Sequence, residues 1–194
     1  YLQRFVETMR VKGVQGPEHY VDPSQVAVGP TPRELVHQQG SLKMYRYSQD
    51  AEQEPSPGRP PLVMIYSIIN QPWILDLVPG FSLIAHLLER GLDVYLVEWE
   101  PALPGCTDTI DLFIDPGLPG AIQQVKQLSG HEQVGLFGYC IGGTLATIYA
   151  ACHPEDLRSL VTLTTPITSS GSGVLELLVN PAIFPMDDII AAHQ

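Results

Sequence analysis

Between Val134 and Ala146 the chain runs Val-Gly-Leu-Phe-Gly-Tyr-Cys-Ile-Gly-Gly-Thr-Leu-Ala. That order reads as a short apolar strand, a turn pinched between glycines, and a helix of small and apolar residues. The pattern Gly138-x-Cys140-x-Gly142 sets a strict steric demand. A residue at the apex of a tight strand-to-helix turn is held in a strained backbone conformation. Its neighbours two before and two after need to be nearly free of side chain for the backbones to pass. This is the pattern of a nucleophile elbow, with cysteine where serine is usual. The Cys140 sulfur would then sit at a helix N-terminus, whose dipole favours negative charge. The plainer alternative is a buried structural cysteine beside a chance glycine pattern, since free cysteine is among the most buried residue types. The strand before Cys140 and the helix after it favour the elbow.

The rest of the chain supplies a sheet for that turn. Leu62–Ile69 is a continuous apolar run, as expected for a strand buried on both faces of a parallel sheet. Leu92–Trp99 reads as a second central strand, Gln133–Phe137 as the strand feeding the elbow, and Leu157–Thr164 as a further one. Helical spacing over Gly80–Arg90, with Gly91 as the cap, and over Ala121–Leu128 fills the intervals. The helix Ile141–Cys152 stops at His153-Pro154, because the residue before proline disfavours the α region. Leu42–Tyr47 alternates and reads as an edge strand, and Asp50–Pro61 as a loop. Alternating strands and helices imply an open parallel sheet with right-handed crossovers. The fold class is therefore α/β: an α/β-hydrolase-type, mostly parallel sheet with flanking helices, truncated before a cap domain and the last strands.

Three regions are expected. Residues 1–40, punctuated by Pro17, Pro23, Gly29, Pro30 and Pro32, form an N-terminal arm. Residues 41–168 form a partial core. Residues 169–194 begin with Ser169-Ser170-Gly171-Ser172-Gly173 and read as the start of a cap or insertion. The chain starts at Tyr1 with neither an initiator Met nor a signal-peptide pattern, so it reads as a piece of something longer.

Composition narrows the function classes. With 21 acidic and 10 basic residues the formal net charge is -11, which argues against a nucleic-acid surface. Cys106, Cys140 and Cys152 show no metal-binding spacing and cannot all pair, which fits a reducing, cytoplasmic setting. The sequence holds no apolar run of about 18 residues, the length a spanning helix needs.

A cysteine nucleophile needs a base, an orienter for that base, and donors for the developing oxyanion. One donor would be the backbone N–H of Ile141, after the nucleophile. The other would come from the loop after an earlier strand, where Ile69 and Asn70 are the candidates. Asn70 reads equally well as an ordinary turn residue. The expected order is nucleophile, acid, histidine. After Cys140 the histidines are His153 and His193. At 1.5 Å per residue, His153 lies roughly 20 Å away along the helix. His193 has no later strand to carry it to the elbow, and Asp187 and Asp188 read as solvated residues of the insertion. His86 belongs to a helix, on its solvent or sheet side, while His19, His37 and His131 fall in loops. The Asp and His partners of Cys140 are thus expected beyond residue 194.

Three segments carry a family resemblance: Tyr66–Leu77 with its Asn-x-Pro-x-x-Leu-Asp-Leu run, Gly91–Trp99, and Gly138–Thr144. Over about residues 30–168 the chain resembles the polyhydroxyalkanoate (PHA) synthases, and among them the two-component, class III-like catalytic subunit. The resemblance implies an acyltransferase that polymerises 3-hydroxyacyl-CoA, such as 3-hydroxybutyryl-CoA, with Cys140 carrying the chain as a thioester and coenzyme A leaving. It implies no cofactor, coenzyme A thioester being the substrate, and no metal. It implies a helper subunit and a homodimer as partners, and a cytoplasmic, granule-associated location at the PHA granule surface. The family commonly has Asp-Trp-Gly where this chain has Glu98-Trp99-Glu100, and residues 103–120 diverge. Thiol-to-thiol acyl exchange is close to isoenergetic, which favours transfer over hydrolysis. Two other readings stay open: a cysteine-elbow hydrolase (a PHA depolymerase or a thioesterase) and a non-catalytic relative that binds granules or a partner.

Overall fold

The computed structural model describes residues 27–49, 58–99 and 113–168. Six strands form one sheet: β1 (Arg33–Gln39), β2 (Leu42–Tyr47), β3 (Pro61–Ile65), β6 (Asp93–Trp99), β7 (Val134–Tyr139) and β8 (Leu157–Leu163). Their spatial order is β1-β2-β6-β3-β7-β8. The strands β6, β3, β7 and β8 run parallel, while β2 and β1 add antiparallel at one side. A two-stranded ribbon, β4 (Asp76–Val78) with β5 (Phe81–Ser82), follows β3. Three α-helices accompany them, α1 (Leu83–Glu89), α2 (Leu118–Ser129) and α3 (Ile141–Cys152), with short 3-10 turns at Pro72–Leu75 and Pro154–Asp156.

The apolar runs read as central strands are central. Val63, Met64, Ile65, Val94, Tyr95, Leu96 and Val97 are fully buried, because helices on both faces leave no solvated side to a parallel sheet. Ser82 caps α1 by accepting the Ala85 N–H at 2.9 Å. Gly91 follows that helix at φ 84, a left-handed position that glycine takes without strain.

Several boundaries differ from the sequence expectation. The stretch 33–39, placed in the arm, is a strand paired with β2, so β2 lies inside the sheet and β1 takes the edge. The missing signal is physical: at an edge most side chains of Arg33–Gln39 face solvent, and no apolar alternation is needed. The run expected to extend to Ile69 leaves the sheet at Ile65, and residues 66–70 turn away. The helix read over Gly80–Arg90 starts later, since Phe81–Ser82 closes the ribbon. β8 is the other edge of the sheet; Val161 and Leu163 are 49% and 44% exposed. The expected insertion at 169–194, and most of the expected arm, lie outside the described residues.

Two polar clusters fasten the frame. Arg46 on β2 donates twice to the Asp93 carboxylate on β6, at 2.8 and 2.7 Å, and the Tyr95 hydroxyl donates to the same group at 2.7 Å. All three side chains are buried. Ahead of β1, the Thr31 N–H and hydroxyl donate to the buried carboxylate of Asp76 at 3.0 and 2.7 Å. The Gly29 N–H donates to the Asp76 carbonyl at 2.8 Å.

Candidate active site

Cys140 occupies the single residue between β7 and α3, with φ 55 and ψ −127. That is a positive φ for a residue with a Cβ, the strained apex the glycine spacing predicts. The side chain is half-buried and the thiol is free. Its N–H donates across to the Leu163 carbonyl at the end of β8, at 2.9 Å, and its carbonyl accepts the Gly143 N–H at 2.9 Å.

The glycines are required by contact. A Cβ on Gly138 would run into the Cα of Gly143 and stand 2.9 Å from the Ala146 Cβ. A Cβ on Gly142 would collide with the carbonyl oxygens of Ile65 and Tyr66, where β3 ends. A third glycine, outside the motif, is equally constrained. A Cβ on Gly143 would meet the Thr165 hydroxyl and lie 2.8 Å from the Thr165 Cβ. Thr144 adds a second tie to the same segment by donating its hydroxyl to the Pro166 carbonyl at 2.8 Å. The elbow is thus wedged between the end of β3 and the segment that leaves β8.

Both expected donor positions lie at this end of the sheet. Ile141 is the first residue of α3, so its N–H has no acceptor within the helix. The turn 66–70 leaves β3 beside the elbow, since Ile65 is in register with Gly138 and the carbonyls of Ile65 and Tyr66 back onto Gly142. Within that turn the Ile69 N–H donates to the Ser67 hydroxyl at 3.2 Å, and the Asn70 N–H to the Ser67 carbonyl at 3.1 Å. The Ile69 side chain stands out into solvent at 74% exposure. Close by in sequence, Ile68, Trp73, Leu77 and Phe81 are exposed as well.

Among the described residues, the histidines do not approach the elbow. His153 caps the far end of α3, stacked on the Tyr149 ring with centroids 4.7 Å apart. Beside it Tyr149 donates its hydroxyl to Asp156 at 2.5 Å, and Lys126 pairs with the same carboxylate. Burial raises the Asp156 carboxyl, but the Lys126 and Tyr149 hydrogen bonds outweigh it and hold the group below its ordinary value. His86 is exposed on α1. His131 lies in a turn, its Nδ1 3.0 Å from the Ser129 carbonyl. His37, expected in a loop, sits on β1 against Gly120 of α2, with its Nε2 buried and without a hydrogen-bond partner. His19, His193, Asp187, Asp188 and Cys106 lie outside the described residues. No cluster of metal-ligating side chains occurs among the described residues, and no helix there is long and apolar enough to cross a membrane.

Sequence reasoning missed the partners that hold the elbow. The Leu163 carbonyl, Thr165 and Ser67 carry no motif; Gly143, doubled beside Gly142, was the available signal of a second close approach.

The family described as alpha/beta hydrolase fold matches residues 60–187. The chain is 36% identical over 155 residues to the poly(3-hydroxyalkanoate) polymerase subunit PhaC of Haloferax mediterranei, covering 79% of this chain and 31% of that protein. It is 32% identical over 156 residues to the subunit of the same name from Allochromatium vinosum, covering 79% of this chain and 43% of that protein. The Synechocystis subunit is 34% identical over 153 residues, with 77% and 39% covered. The resemblance seen in the sequence is therefore present, and the chain spans less than half the length of these curated relatives.

Proposed function

The chain belongs to the alpha/beta hydrolase fold family, and from that premise we propose that it carries the nucleophile-bearing part of a poly(3-hydroxyalkanoate) polymerase. The observation that supports this most directly is a cysteine at the strained apex of the elbow, in a chain similar to polymerase subunits. Cys140 is the nucleophile. Its sulfur attacks the carbonyl of a 3-hydroxyacyl-CoA, such as 3-hydroxybutyryl-CoA. A new carbon–sulfur bond forms to Cys140, the bond to the coenzyme A sulfur breaks, and the proton from Cys140 passes by way of a base to the departing thiolate.

The oxyanion of that step is taken by the Ile141 N–H and by an N–H of the turn holding Ile69 and Asn70. Chain growth is then attack of a 3-hydroxyl group on a thioester carbonyl, which makes an ester and frees a thiol. A thioester suits this, since it exchanges freely with coenzyme A and still drives ester formation. The base and its acid come from outside the described residues. No cofactor or metal enters the scheme. A helper subunit, a homodimer and a cytoplasmic position at the granule surface belong to the same proposal, and the exposed apolar side chains of Ile68, Ile69 and Trp73 suit an apolar polyester product.

The test is the complete protein with 3-hydroxybutyryl-CoA, beside its Cys140→Ala variant. Polymer together with released coenzyme A, both lost in the variant, is the expected result. Free hydroxy acid would replace the proposal with a depolymerase or thioesterase, and activity unchanged by Cys140→Ala would leave a non-catalytic relative.

A further inference from the structure

We propose that Thr165 is a positioning residue for acylation of Cys140: its side chain clamps the two groups that hold the peptides on either side of that cysteine. This rests on the reading of Cys140 as nucleophile and of the Ile141 N–H as an oxyanion donor. The peptide before Cys140 is held through its N–H, which donates to the Leu163 carbonyl at 2.9 Å. The peptide after it is held through its carbonyl, which accepts the Gly143 N–H at 2.9 Å. The values φ 55 and ψ −127 describe the angle between those two planes. The sulfur hangs from the atom that joins the planes, and the Ile141 N–H lies in the second of them. Holding both planes therefore sets the sulfur against the donor.

Thr165 touches both holding groups. Its hydroxyl donates to the same Leu163 carbonyl at 3.3 Å. The side chain also lies against Gly143, where an added Cβ would stand 1.9 Å from the Thr165 hydroxyl oxygen and 2.8 Å from its Cβ and Cγ2. Three backbone features keep it there. Thr164 takes φ 47, a left-handed conformation that a β-branched residue rarely adopts, at the point where the chain leaves β8. Pro166 disfavours the α region for Thr165, the residue before it. From the helix side, Thr144 donates its hydroxyl to the Pro166 carbonyl at 2.8 Å. Backbone strain of this kind persists only where its surroundings over-determine it, and it gathers at active sites. Here it delivers one hydroxyl to the carbonyl that receives the Cys140 N–H.

The experiment compares two reactions of the same sulfur in the complete protein. Acylation by p-nitrophenyl butyrate needs the acyl oxygen on its donors while the sulfur attacks, whereas alkylation by iodoacetamide needs the sulfur alone. Thr165→Val keeps the shape and removes the hydroxyl. It is expected to slow acylation about tenfold, against the roughly hundredfold that a misplacement of about 1 Å causes. KM and the alkylation rate, which do not depend on that alignment, should stay within about twofold. Thr165→Ser keeps the hydroxyl and should restore most of the acylation rate. Thr165→Ser against Thr165→Ala repeats the comparison with the methyl absent from both, and decides the matter even if Thr165→Val folds poorly. Equal slowing of both reactions, no change in either, or Thr165→Ser as slow as Thr165→Ala would overturn the proposal. Ester turnover that survives Cys140→Ala would remove Cys140 as nucleophile, and the proposal with it. Refusal of 3-hydroxybutyryl-CoA by protein that accepts the ester would sink the polymerase assignment and leave the Thr165 comparison decisive.

Discussion

The N–H of Cys140 donates to the carbonyl of Leu163 at 2.9 Å, so the peptide at the apex of the elbow extends the β7–β8 ladder beyond Tyr139. One residue past Leu163, Thr164 has φ 47, against 55 for Cys140. Among the described residues these are the two non-glycine positions with positive φ. Neighbouring strands therefore bend sharply at the same level, and the strain at Cys140 is held in place by the strand beside it.

That strain is measurable. Cys140→Gly removes the Cβ that makes φ 55 costly. Strain of this kind is worth about 1–3 kcal/mol, and glycine's extra chain entropy returns about 0.5–1 kcal/mol. A net gain near 1 kcal/mol in urea unfolding is expected for glycine, and none for Cys140→Ala, which keeps the Cβ. Equal stability for the two variants would place the strain elsewhere.

Gly143→Ala should be strongly unfavourable, because its Cβ meets Thr165. Overpacking of a tight site costs about 1–3 kcal/mol. Adding Thr165→Gly opens the space, so the double variant should lose less than the two single losses summed. A coupling of about 1 kcal/mol or more in the cycle is the expected reading. Strict additivity would mean the elbow does not lean on this segment.

Arg46 and Asp93 form a buried pair with 9% and 8% of their side chains exposed. Arg46→Met leaves a buried carboxylate with Tyr95 as its remaining recorded side-chain donor, and should cost about 3–5 kcal/mol. Arg46→Met combined with Asp93→Leu should recover much of that loss. Denaturant unfolding of the three variants separates the cost of an unpaired charge from the worth of the pair.

Burial holds the His37 imidazole below its ordinary value, with the Gln39 hydrogen bond opposing in part. As pH falls through about 6.5, the unfolded chain takes up a proton that the folded one resists, so stability is lost on acidification. His37→Leu should make Tm fall less between pH 7.5 and 5.5 than it does in the parent chain. Asp156 acts in a lower window: its depressed carboxyl contributes stability above the ordinary Asp range that is lost as pH drops through and below it. A parent and variant with parallel Tm profiles above pH 5 would remove His37 as the source.

The elbow was legible because its requirements are local. Gly138, Cys140 and Gly142 fix a turn within five residues, and the helix Ile141–Cys152 begins and ends where the sequence reading put it. Of the parallel strands, β3 was legible as an uninterrupted apolar run, and the others as shorter apolar stretches between helical spacings. The edge strand Arg33–Gln39 was not, because an exposed strand needs no apolar face. Nor could spacing reveal that Thr165 packs on Gly143, or that His37 covers Gly120, since both contacts join residues far apart in the chain. The turn after β3 was read four residues too late, because Tyr66–Ile69 continues the apolar run, and the bond from the Ile69 N–H to the Ser67 hydroxyl that shapes it is one that composition does not carry.

The clasp of Gly29 and Thr31 on Asp76 has a practical consequence for how the protein is cut. Asp76 opens β4, so the ribbon that follows the turn bearing Ile69 and Asn70 is tied to chain that precedes the first strand. A truncation begun at Arg33 would leave every strand of the sheet intact and still strand a buried carboxylate. Its damage would appear in the β4–β5 ribbon before any loss of the sheet, which makes the choice of N-terminal boundary matter for more than the strands it keeps.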